Sequence, residues 1–183
     1  MKFSAGLLAL TTILNASVAT ADSWADCSRS RDDARAAIEG CTQIIESSGV
    51  ANEEKAKAFL NRGNAYQTRS NLADAIADYG EAIRLNPQFA LAFNNRGVAH
   101  RLQGNLKRAV ADLDEAIRLE PLFSLAMYNR GLAHLVSGDV GRAIADYDEA
   151  IRLAPQYRDG FYETRCNGGP PIQLYVDAAF NTH

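Results

Sequence analysis

Apolar side chains recur at steps of three and four residues through the middle of the chain, which is the period of an amphipathic α-helix. The clearest case is a predicted helix from Leu106 to Leu119, with apolar positions at Leu106, Ala109, Val110, Leu113, Ala116 and Ile117. A second helical segment, Ala90 to Gln103, precedes it, and Gly104-Asn105 lies between the two as a turn signal. The pattern therefore predicts two helices joined by a tight turn.

This pair of helices is predicted three times. Asn-Arg-Gly occurs at 61–63, 95–97 and 129–131, so that successive copies are 34 residues apart. Three further sets keep the same step: Ala75, Ala109 and Ala143; Ala82, Ala116 and Ala150; Pro87, Pro121 and Pro155. A helical hairpin of this length cannot bury its apolar stripe alone, and about three stacked units are needed for stability. The chain is therefore predicted to form a stack of hairpins.

The spacing and residue types resemble the tetratricopeptide repeat, a helix-turn-helix unit with Gly in its first helix, Ala in its second and a closing Pro. The resemblance implies an all-α solenoid with three full repeats at 56–89, 90–123 and 124–157, after a degenerate N-terminal capping half-repeat at 22–55. Two features depart from the family pattern. Arginine replaces an apolar residue before each Gly, at Arg62, Arg96 and Arg130, and His100 and His134 stand where Tyr66 follows the pattern.

Small residues within the helices predict close helix packing. Glycine inside a helix costs about 1 kcal/mol relative to alanine, so Gly63, Gly97 and Gly131 are expected to let a neighbouring helix approach. Ala75, Ala109 and Ala143 are expected to serve the same contact from the second helix. On the outer helices, Glu81–Arg84, Glu115–Arg118 and Glu149–Arg152 are spaced for exposed ion pairs.

The three substituted arginines have candidate partners, because the second helix of each unit carries an aspartate: Asp78, Asp112 and Asp146. We expect one Arg–Asp pair within each unit, since a partly buried guanidinium otherwise carries a desolvation penalty.

The asparagines of the three copies are the best functional candidates. Asn61, Asn95 and Asn129 recur once per unit on the helices expected to line the concave side, and a carboxamide can pair with both the N–H and the C=O of an extended peptide. The arrangement resembles the asparagine ladder in the repeat domain of O-linked N-acetylglucosamine transferase, which implies a backbone-gripping role. The alternative is that these amides bond to neighbouring repeats or to helix ends and hold the stack together. The same inner face is expected to carry Lys57, Asn64, Asn94, Arg101 and Tyr128, together with Leu91, Val98, Leu125 and Leu132.

The N-terminus has the form of a cleaved signal peptide at 1–21. Lys2 gives a short positive start, Leu7 to Val18 is moderately apolar, and Ala19-Thr20-Ala21 has the small-x-small form of a cleavage site. Asp22 would begin the mature protein, and we expect it to be periplasmic or secreted without stable membrane insertion. An uncleaved anchor is the alternative, although the apolar stretch is shorter than the roughly 20 residues that a spanning helix needs.

Export changes how the three cysteines are interpreted. In an oxidising compartment, Cys27 and Cys41 are expected to form a disulfide across the N-terminal half-repeat. Two buried free thiols are the alternative. Cys166 is then either free or bonded to another chain. It lies in 158–183, which is expected to be a partial capping helix with an irregular tail, or a further repeat that has been interrupted.

The charge distribution and the lack of a catalytic residue set argue against two classes of function, nucleic-acid binding and catalysis. The net charge is −3, and Lys and Arg alternate with Asp and Glu along the helices, so no basic surface for nucleic acid is expected. The three histidines do not assemble with a nucleophile and an orienting acid, and no cofactor or metal site is predicted. We therefore expect a non-catalytic module of the cell envelope that binds a protein or peptide in its groove. The alternative is a structural subunit that assembles through its convex face or its ends.

Overall fold

The structure is a computed structural model that describes residues 19–29 and 33–155. These residues form eight α-helices and no strand, which confirms the predicted all-α class. The helices are α1 (Ala21–Cys27), α2 (Ala34–Glu46), α3 (Asn52–Thr68), α4 (Leu72–Leu85), α5 (Ala90–Leu102), α6 (Leu106–Leu119), α7 (Ser124–Val136) and α8 (Val140–Leu153). Most of the predicted signal peptide and the predicted segment 158–183, with Cys166, lie outside the described residues.

The turn inside each full hairpin has the same geometry. Ser70, Gly104 and Gly138 all adopt positive φ, at 59°, 79° and 84°. The next residue returns its N–H to a carbonyl five positions earlier, as in the 2.8 Å bond from Asn105 to His100, which is the closing bond of a Schellman motif. The predicted bounds of α6 agree with the structure, whereas α5 ends one residue earlier than predicted because Gln103 caps it.

The core runs across the repeat boundaries. The paired helices α3–α4, α5–α6 and α7–α8 pack most extensively, and the second helix of each hairpin then packs on the first helix of the next. One core cluster joins Tyr79 and Ala82 of α4 to Ala92 and Ala99 of α5. A second joins the α6 residues around Leu113 to Ala126 and Ala133 of α7. Each hairpin therefore buries its apolar face against its successor, as expected for a solenoid.

The helix glycines mark the closest approach within each hairpin. A Cβ added at Gly63 would lie 2.6 Å from the ring of Tyr79, and one at Gly97 would lie 2.8 Å from Cγ of Leu113. At Gly131 the same contact falls on Tyr147, at 2.8 Å. The expected close approach is therefore present, but the residue that meets each glycine is this large side chain. The alanine predicted for that contact contributes in the second hairpin through its backbone, since the Ala109 carbonyl lies 3.1 Å from the Gly97 position.

The segment expected to be a half-repeat contains two helices, a seven-residue α1 and a longer α2 that packs on α3. The sulfur atoms of Cys27, on α1, and Cys41, on α2, lie 2.11 Å apart. Both cysteines are fully buried in a cluster with Ile44 of α2 and Ala58 of α3. The N-terminal hairpin therefore covers the exposed side of the first full repeat.

Two glycine-to-alanine substitutions distinguish the effect of close packing on stability from the effect of helix propensity. Gly97→Ala is expected to lower the free energy of unfolding by about 1 kcal/mol, because an overpacking cost of about 1–3 kcal/mol exceeds a helix-propensity gain of about 1 kcal/mol. Gly80→Ala is the matched control, since the nearest atom to its added Cβ is 3.8 Å away. It is expected to raise stability by up to about 1 kcal/mol. Urea unfolding followed by circular dichroism measures both, and equal effects would contradict the packing role.

Candidate functional site

The helices form two layers of unequal spacing. The first helices of successive hairpins, α3, α5 and α7, contact one another, whereas the second helices α4, α6 and α8 are not paired by a comparable contact. A stack whose layers differ in this way curves toward the closer layer. The inner face is therefore the concave one, and we call this surface, formed by α3, α5 and α7, the groove.

A chain of side-chain amides crosses the groove from the third repeat to the first. Nδ2 of Asn129 donates to Oδ1 of Asn94 at 2.9 Å, and Nδ2 of Asn94 donates to Oδ1 of Asn95 at 2.9 Å. Nδ2 of Asn95 then donates to Oδ1 of Asn64 at 2.9 Å, and the hydroxyl of Tyr79 donates to the same oxygen at 2.9 Å. Two of these bonds, from Asn129 and from Asn95, link different repeats. They are the bonds expected under the second interpretation of the asparagines, in which the amides hold the stack together.

The predicted groove residues differ in how far solvent reaches them. Asn94 is 2% exposed and Asn129 is 8% exposed, whereas Asn61, Asn64 and Asn95 are half-buried. Among the described residues, the Asn61 side chain has one weak contact, in which Nδ2 lies 3.9 Å from Sγ of Cys27. The structure thus brings all three repeated asparagines to the inner helices and gives them unequal access. Whether they grip a peptide stays a prediction.

The remaining predicted groove residues are distributed over the three inner helices. Lys57 is exposed on α3 and pairs with Glu53 at 3.3 Å and Glu54 at 3.0 Å. Tyr128 is half-buried on α7, where its ring packs against Tyr147 with centroids 5.4 Å apart. Arg101 is buried near the end of α5. The groove therefore changes from charged at the first repeat to aromatic and apolar at the third.

An Arg–Asp pair is present in each full repeat, which confirms the pairing expected from the sequence. The guanidinium of Arg62 binds both carboxylate oxygens of Asp78, at 2.8 and 2.9 Å. Arg96 binds Asp112 at 2.8 and 2.7 Å, and Arg130 binds Asp146 at 2.9 and 2.6 Å. These bidentate bonds are stronger than neutral ones, and the aspartate hydrogen bonds raise the pKa of Arg62 and of Arg130.

Two of the three pairs also reach the preceding hairpin, which sequence reasoning did not find. Nη1 of Arg62 donates to Oγ1 of Thr42 on α2 at 2.9 Å, and Nη1 of Arg130 donates to Oδ1 of Asp114 on α6 at 2.6 Å. The residue that corresponds to Asp114 one repeat earlier is Gly80, so Arg96 has no such bond. The 34-residue register, applied to the second helices, is the signal that identifies this position.

The inner histidines fill space beside these pairs. His100 and His134 are 7% and 6% exposed, and each points Nε2 toward the aspartate of its own repeat, at 4.0 Å from Asp112 and 3.9 Å from Asp146. Burial lowers the pKa of His100, and the charge of Asp112 opposes that shift. The two imidazoles therefore belong to separate clusters. Within residues 19–29 and 33–155, no group of three or more His, Cys, Asp or Glu side chains is arranged to hold a metal ion.

The chain belongs to the tetratricopeptide repeat family. The family's sequence profile matches residues 60–119 and 103–158, which together include most of the first full repeat and all of the second and third. The departures at the arginine and histidine positions therefore do not take the chain out of the family. Proteins of this family are generally protein–protein interaction modules, and the fold of this chain is that of such a module.

Solved structures of the same family are similar to this chain. The Arabidopsis OM64 TPR domain is 28% identical over 57% of this chain and 87% of that one, with a TM-score of 0.56. The second TPR of Spaghetti (RPAP3), solved bound to the HSP90 peptide SRMEEVD, is 27% identical over 56% and 94%, with a TM-score of 0.54. TTC0263, a thermophilic TPR protein of Thermus thermophilus, has a TM-score of 0.62 over 71% and 72%, and at 21% identity it shows the fold alone.

The eight helices of residues 19–29 and 33–155 are short or amphipathic, or both. None of them has the length and apolarity that a membrane crossing requires.

The contribution of the Arg–Asp pairs to stability is measurable with two chemically identical changes. Asp112→Asn removes the charge and one acceptor from a partner that is 11% exposed, and it is expected to lower the free energy of unfolding by about 2 kcal/mol. Glu115→Gln makes the same change in the exposed Glu115–Arg118 pair and is expected to leave stability unchanged. Similar unfolding curves for the two variants would show that the Arg–Asp pair is not a major stabilising contact.

Proposed function

We propose that this protein is a non-catalytic interaction module of the cell envelope that holds an extended peptide, or a helix of a partner protein, in the groove. The observation that carries the proposal is the row of amides that crosses all three repeats on the concave side. It is accompanied by exposed apolar side chains on the same helices, Leu91 and Leu102 on α5 and Val136 on α7, which are 37%, 37% and 47% exposed. Side-chain amides and exposed apolar side chains are therefore present together on the inner helices.

The amides retain capacity for a ligand while they hold the stack together. A carboxamide carries two N–H donors and two acceptor lone pairs. Asn95 uses one N–H toward Asn64 and one lone pair toward Asn94. The described residues leave one donor and one acceptor of Asn95 unused, and these are the two groups that an extended backbone needs from each contact. The half-buried Asn61 and Asn95 support this role better than Asn129, which is nearly enclosed.

The spacing of the repeats suits an extended ligand. Packed helices lie about 8–10 Å apart and an extended chain rises about 3.3 Å per residue, so about one peptide residue in three would meet an inner helix. The similarity to a TPR domain solved with the peptide SRMEEVD supports a peptide partner of this kind. The half-buried Leu125 and Tyr128 at the third repeat favour an apolar anchor on the partner.

A structural subunit that assembles through its outer surface is the second candidate. It is favoured by Leu122 and Val140, which are 73% and 53% exposed in the α6–α7 loop and at the start of α8. In that case the partner would contact the outer helices or the loops, and the groove would be empty in the assembly.

Site-specific photocrosslinking separates the two candidates. A photoreactive amino acid in place of Leu91 lies in the groove, and one in place of Arg118 lies on the outer helix of the same hairpin, where that side chain is 63% exposed. Under the proposal, envelope proteins crosslink from position 91 and not from position 118. Asn95→Ala should then weaken capture, while Asn105→Ala, an exposed change in the turn of the same hairpin, should not.

Crosslinks from position 118 alone would contradict the groove and support the structural subunit. Because Asn95 also bonds to Asn64 and Asn94, the unfolding midpoint of Asn95→Ala is measured alongside. Loss of capture counts only where that variant is folded under the conditions of the experiment.

The envelope location is part of the proposal and rests on the predicted signal peptide and cysteine pair. The mass of the protein purified from the envelope fraction is expected to correspond to a chain that begins at Asp22, with two hydrogen atoms fewer than the reduced form. The sulfur positions support the Cys27–Cys41 bridge. In the chain-entropy treatment, a loop of this size stabilises the fold by about 3 kcal/mol. Detection of an uncleaved chain in the cytosol would contradict the envelope location.

A further inference from the structure

Two arginines of the inner helices extend to the outer side of the stack. Arg130 on α7 donates to Asp114 on α6 through Nη1 and to Asp146 on α8 through Nη2, both at 2.6 Å. Its guanidinium therefore lies between two second helices, on the side of the stack away from the groove. Arg96 on α5 has the equivalent place between α4 and α6, where it binds Asp112 of α6.

The surface between α4 and α6 around the guanidinium of Arg96 is here called the outer furrow. It is bordered by Gly80 of α4, by Arg96 of α5, and by Arg108, Ala111 and Asp112 of α6. The counterparts of these five residues one repeat later all line a single cavity between α6 and α8. The two surfaces therefore have the same construction and are compared residue by residue.

The cavity of the third repeat supplies its own carboxylates. Asp114 and Asp146 both bind Arg130, and Asp139 binds Arg142 at 2.6 Å. The two arginines that line the cavity are thus bound by three aspartates. A carboxylate is therefore the group that this chain itself places against Nη1 of the repeated arginine.

The outer furrow lacks two of these three carboxylates. Gly80 and Asn105 stand at the positions that correspond to the aspartates at 114 and 139, so only Asp112 remains. Among the described acidic residues, Asp112 is the one that forms an ion pair with Arg96, and none forms an ion pair with Arg108. Two arginines are matched by one aspartate, which leaves an excess of one positive charge.

The nearest glutamates along the two helices do not supply the missing charge. Glu81 directly follows Gly80, but it binds Arg84 at 2.9 Å. Glu115 lies one turn beyond the α6 residues of the outer furrow, and it binds Arg118 at 2.8 and 2.6 Å. Both carboxylates are therefore used within their own helices.

One nitrogen of Arg96 is open to a ligand. Nε and Nη2 bind Asp112, whereas Nη1 has no hydrogen-bond partner among the described residues. The described side-chain nitrogens that are buried without a partner belong to His100 and Arg101, so Nη1 of Arg96 is not buried. The Arg96 side chain as a whole is 25% exposed. Outside its own stretch of α4, the described atom nearest to a Cβ added at Gly80 is this Nη1, at 3.8 Å.

The charges of both arginines reach the outer furrow. Burial lowers the pKa of His100, the charge of Asp112 opposes that shift, and the charges of Arg96 and Arg108 lower the pKa further. Arg108 is itself exposed on α6. An anion beside Nη1 of Arg96 is therefore attracted by two guanidinium groups.

We propose that the outer furrow binds a carboxylate side chain of a second protein, through Nη1 of Arg96 and with Arg108 beside it, at the place that Asp114 fills in the next repeat. The proposal does not depend on the groove, because the site lies on the other side of the stack. One carboxylate balances the excess charge, whereas a phosphate carries close to two negative charges. The carboxylate of Asp114 shows in addition that this chemistry fits the repeated arginine.

An acidic side chain of a protein suits this open site better than a free carboxylic acid. One charge-assisted contact strengthens binding roughly ten- to hundredfold, which does not offset the freedom that a small ligand loses on association. A free acid would therefore bind in the millimolar range or more weakly. A side chain that other contacts already hold in place does not lose that freedom again. The exposed Ala111 is small enough for the backbone of a partner to come close to α6.

Acetate is the probe that tests the site itself. It is titrated into the full chain with chloride at equal ionic strength as the reference, and the arginine Nε–H resonances are followed by NMR. The expected result is a saturating shift of the Arg96 resonance with acetate alone, with half-saturation in the millimolar range. Gly80→Asp supplies the missing carboxylate and is expected to abolish the shift. Ala73→Asp adds the same charge two turns earlier on α4, at an exposed position, and is expected to retain it.

A paired change in the third repeat makes the test independent of the folding of Gly80→Asp. Asp114→Gly combined with Asp139→Asn gives Arg130 the residues that surround Arg96, and the Arg130 resonance is expected to become sensitive to acetate. Equal shifts of Arg96 with acetate and chloride, or a shift that persists in folded Gly80→Asp, would overturn the site. The absence of an acetate response at Arg130 in the paired variant would also count against it.

Photocrosslinking tests the source of the carboxylate. A photoreactive amino acid in place of Ala111 is expected to capture an envelope protein through a segment that contains Asp or Glu. Capture is expected to fall about tenfold or more when Gly80→Asp is added, and to be unchanged when Ala73→Asp is added. Equal capture in all three chains, no capture, or a captured segment without Asp or Glu would overturn the protein ligand. Half-saturation by micromolar acetate would do so too, and would favour a free acid.

This experiment and the test of the groove give separate results. Crosslinks from position 91 on the inner face are expected to be the same with and without Gly80→Asp, because Gly80 is on the outer layer. Position 118 lies two turns beyond position 111 on α6, about 10 Å away, so it reports on a different part of the outer surface. Loss of the position 91 crosslinks alone would contradict the groove and leave the outer furrow intact.

Discussion

Close approach of the two helices in each hairpin is the constraint on which the rest of the structure depends. At Gly63, Gly97 and Gly131 there is no room for a Cβ, because the ring of Tyr79, the side chain of Leu113 or the ring of Tyr147 occupies that space. This contact fixes how closely the two helices of each hairpin approach and the angle between them. The apolar face that remains can be buried only against the next hairpin, so the stack and its concave inner surface follow from it.

Most of the buried polar side chains described in this stack are paired with one another. These pairs determine which polar groups of the groove remain for a ligand. The Arg–Asp pairs, close to the histidines, tie the two helices of each repeat, and the amide chain ties the first helices of successive repeats. Both sets contribute to cohesion. Asn95 nevertheless keeps a donor and an acceptor that the described residues do not use, and no described Asp or Glu forms an ion pair with Arg101. The same surface thus carries side chains that hold the stack together and side chains that keep hydrogen-bonding groups for a ligand.

The sequence predicted which helices carry the residues of the candidate site, but it did not predict the hydrogen-bond partners of those residues. The 34-residue register assigned Asn61, Asn95 and Asn129 to one equivalent position on the inner helices, and it paired Arg62 with Asp78 and its counterparts. It also treated the three asparagines as equal, but Asn129 is nearly enclosed and Asn61 is half-buried. Their partners lie 31 to 35 residues away or in the N-terminal hairpin, and a repeat register does not encode which non-equivalent residues meet.

The sequence by itself determined the helical period, the number of full repeats, the turns and the family, because each of these depends on residues that are neighbours along the chain or recur at one fixed step. Only the tertiary structure decided which side chain fills the space beside each glycine, which amides bond across repeats, and which inner-helix arginine has no ion pair among the described residues. These outcomes depend on volume and distance between segments. A change from Tyr79 to Leu113 alters no helical pattern, yet Leu113 has no hydroxyl for a hydrogen bond like the one that Tyr79 makes to Asn64.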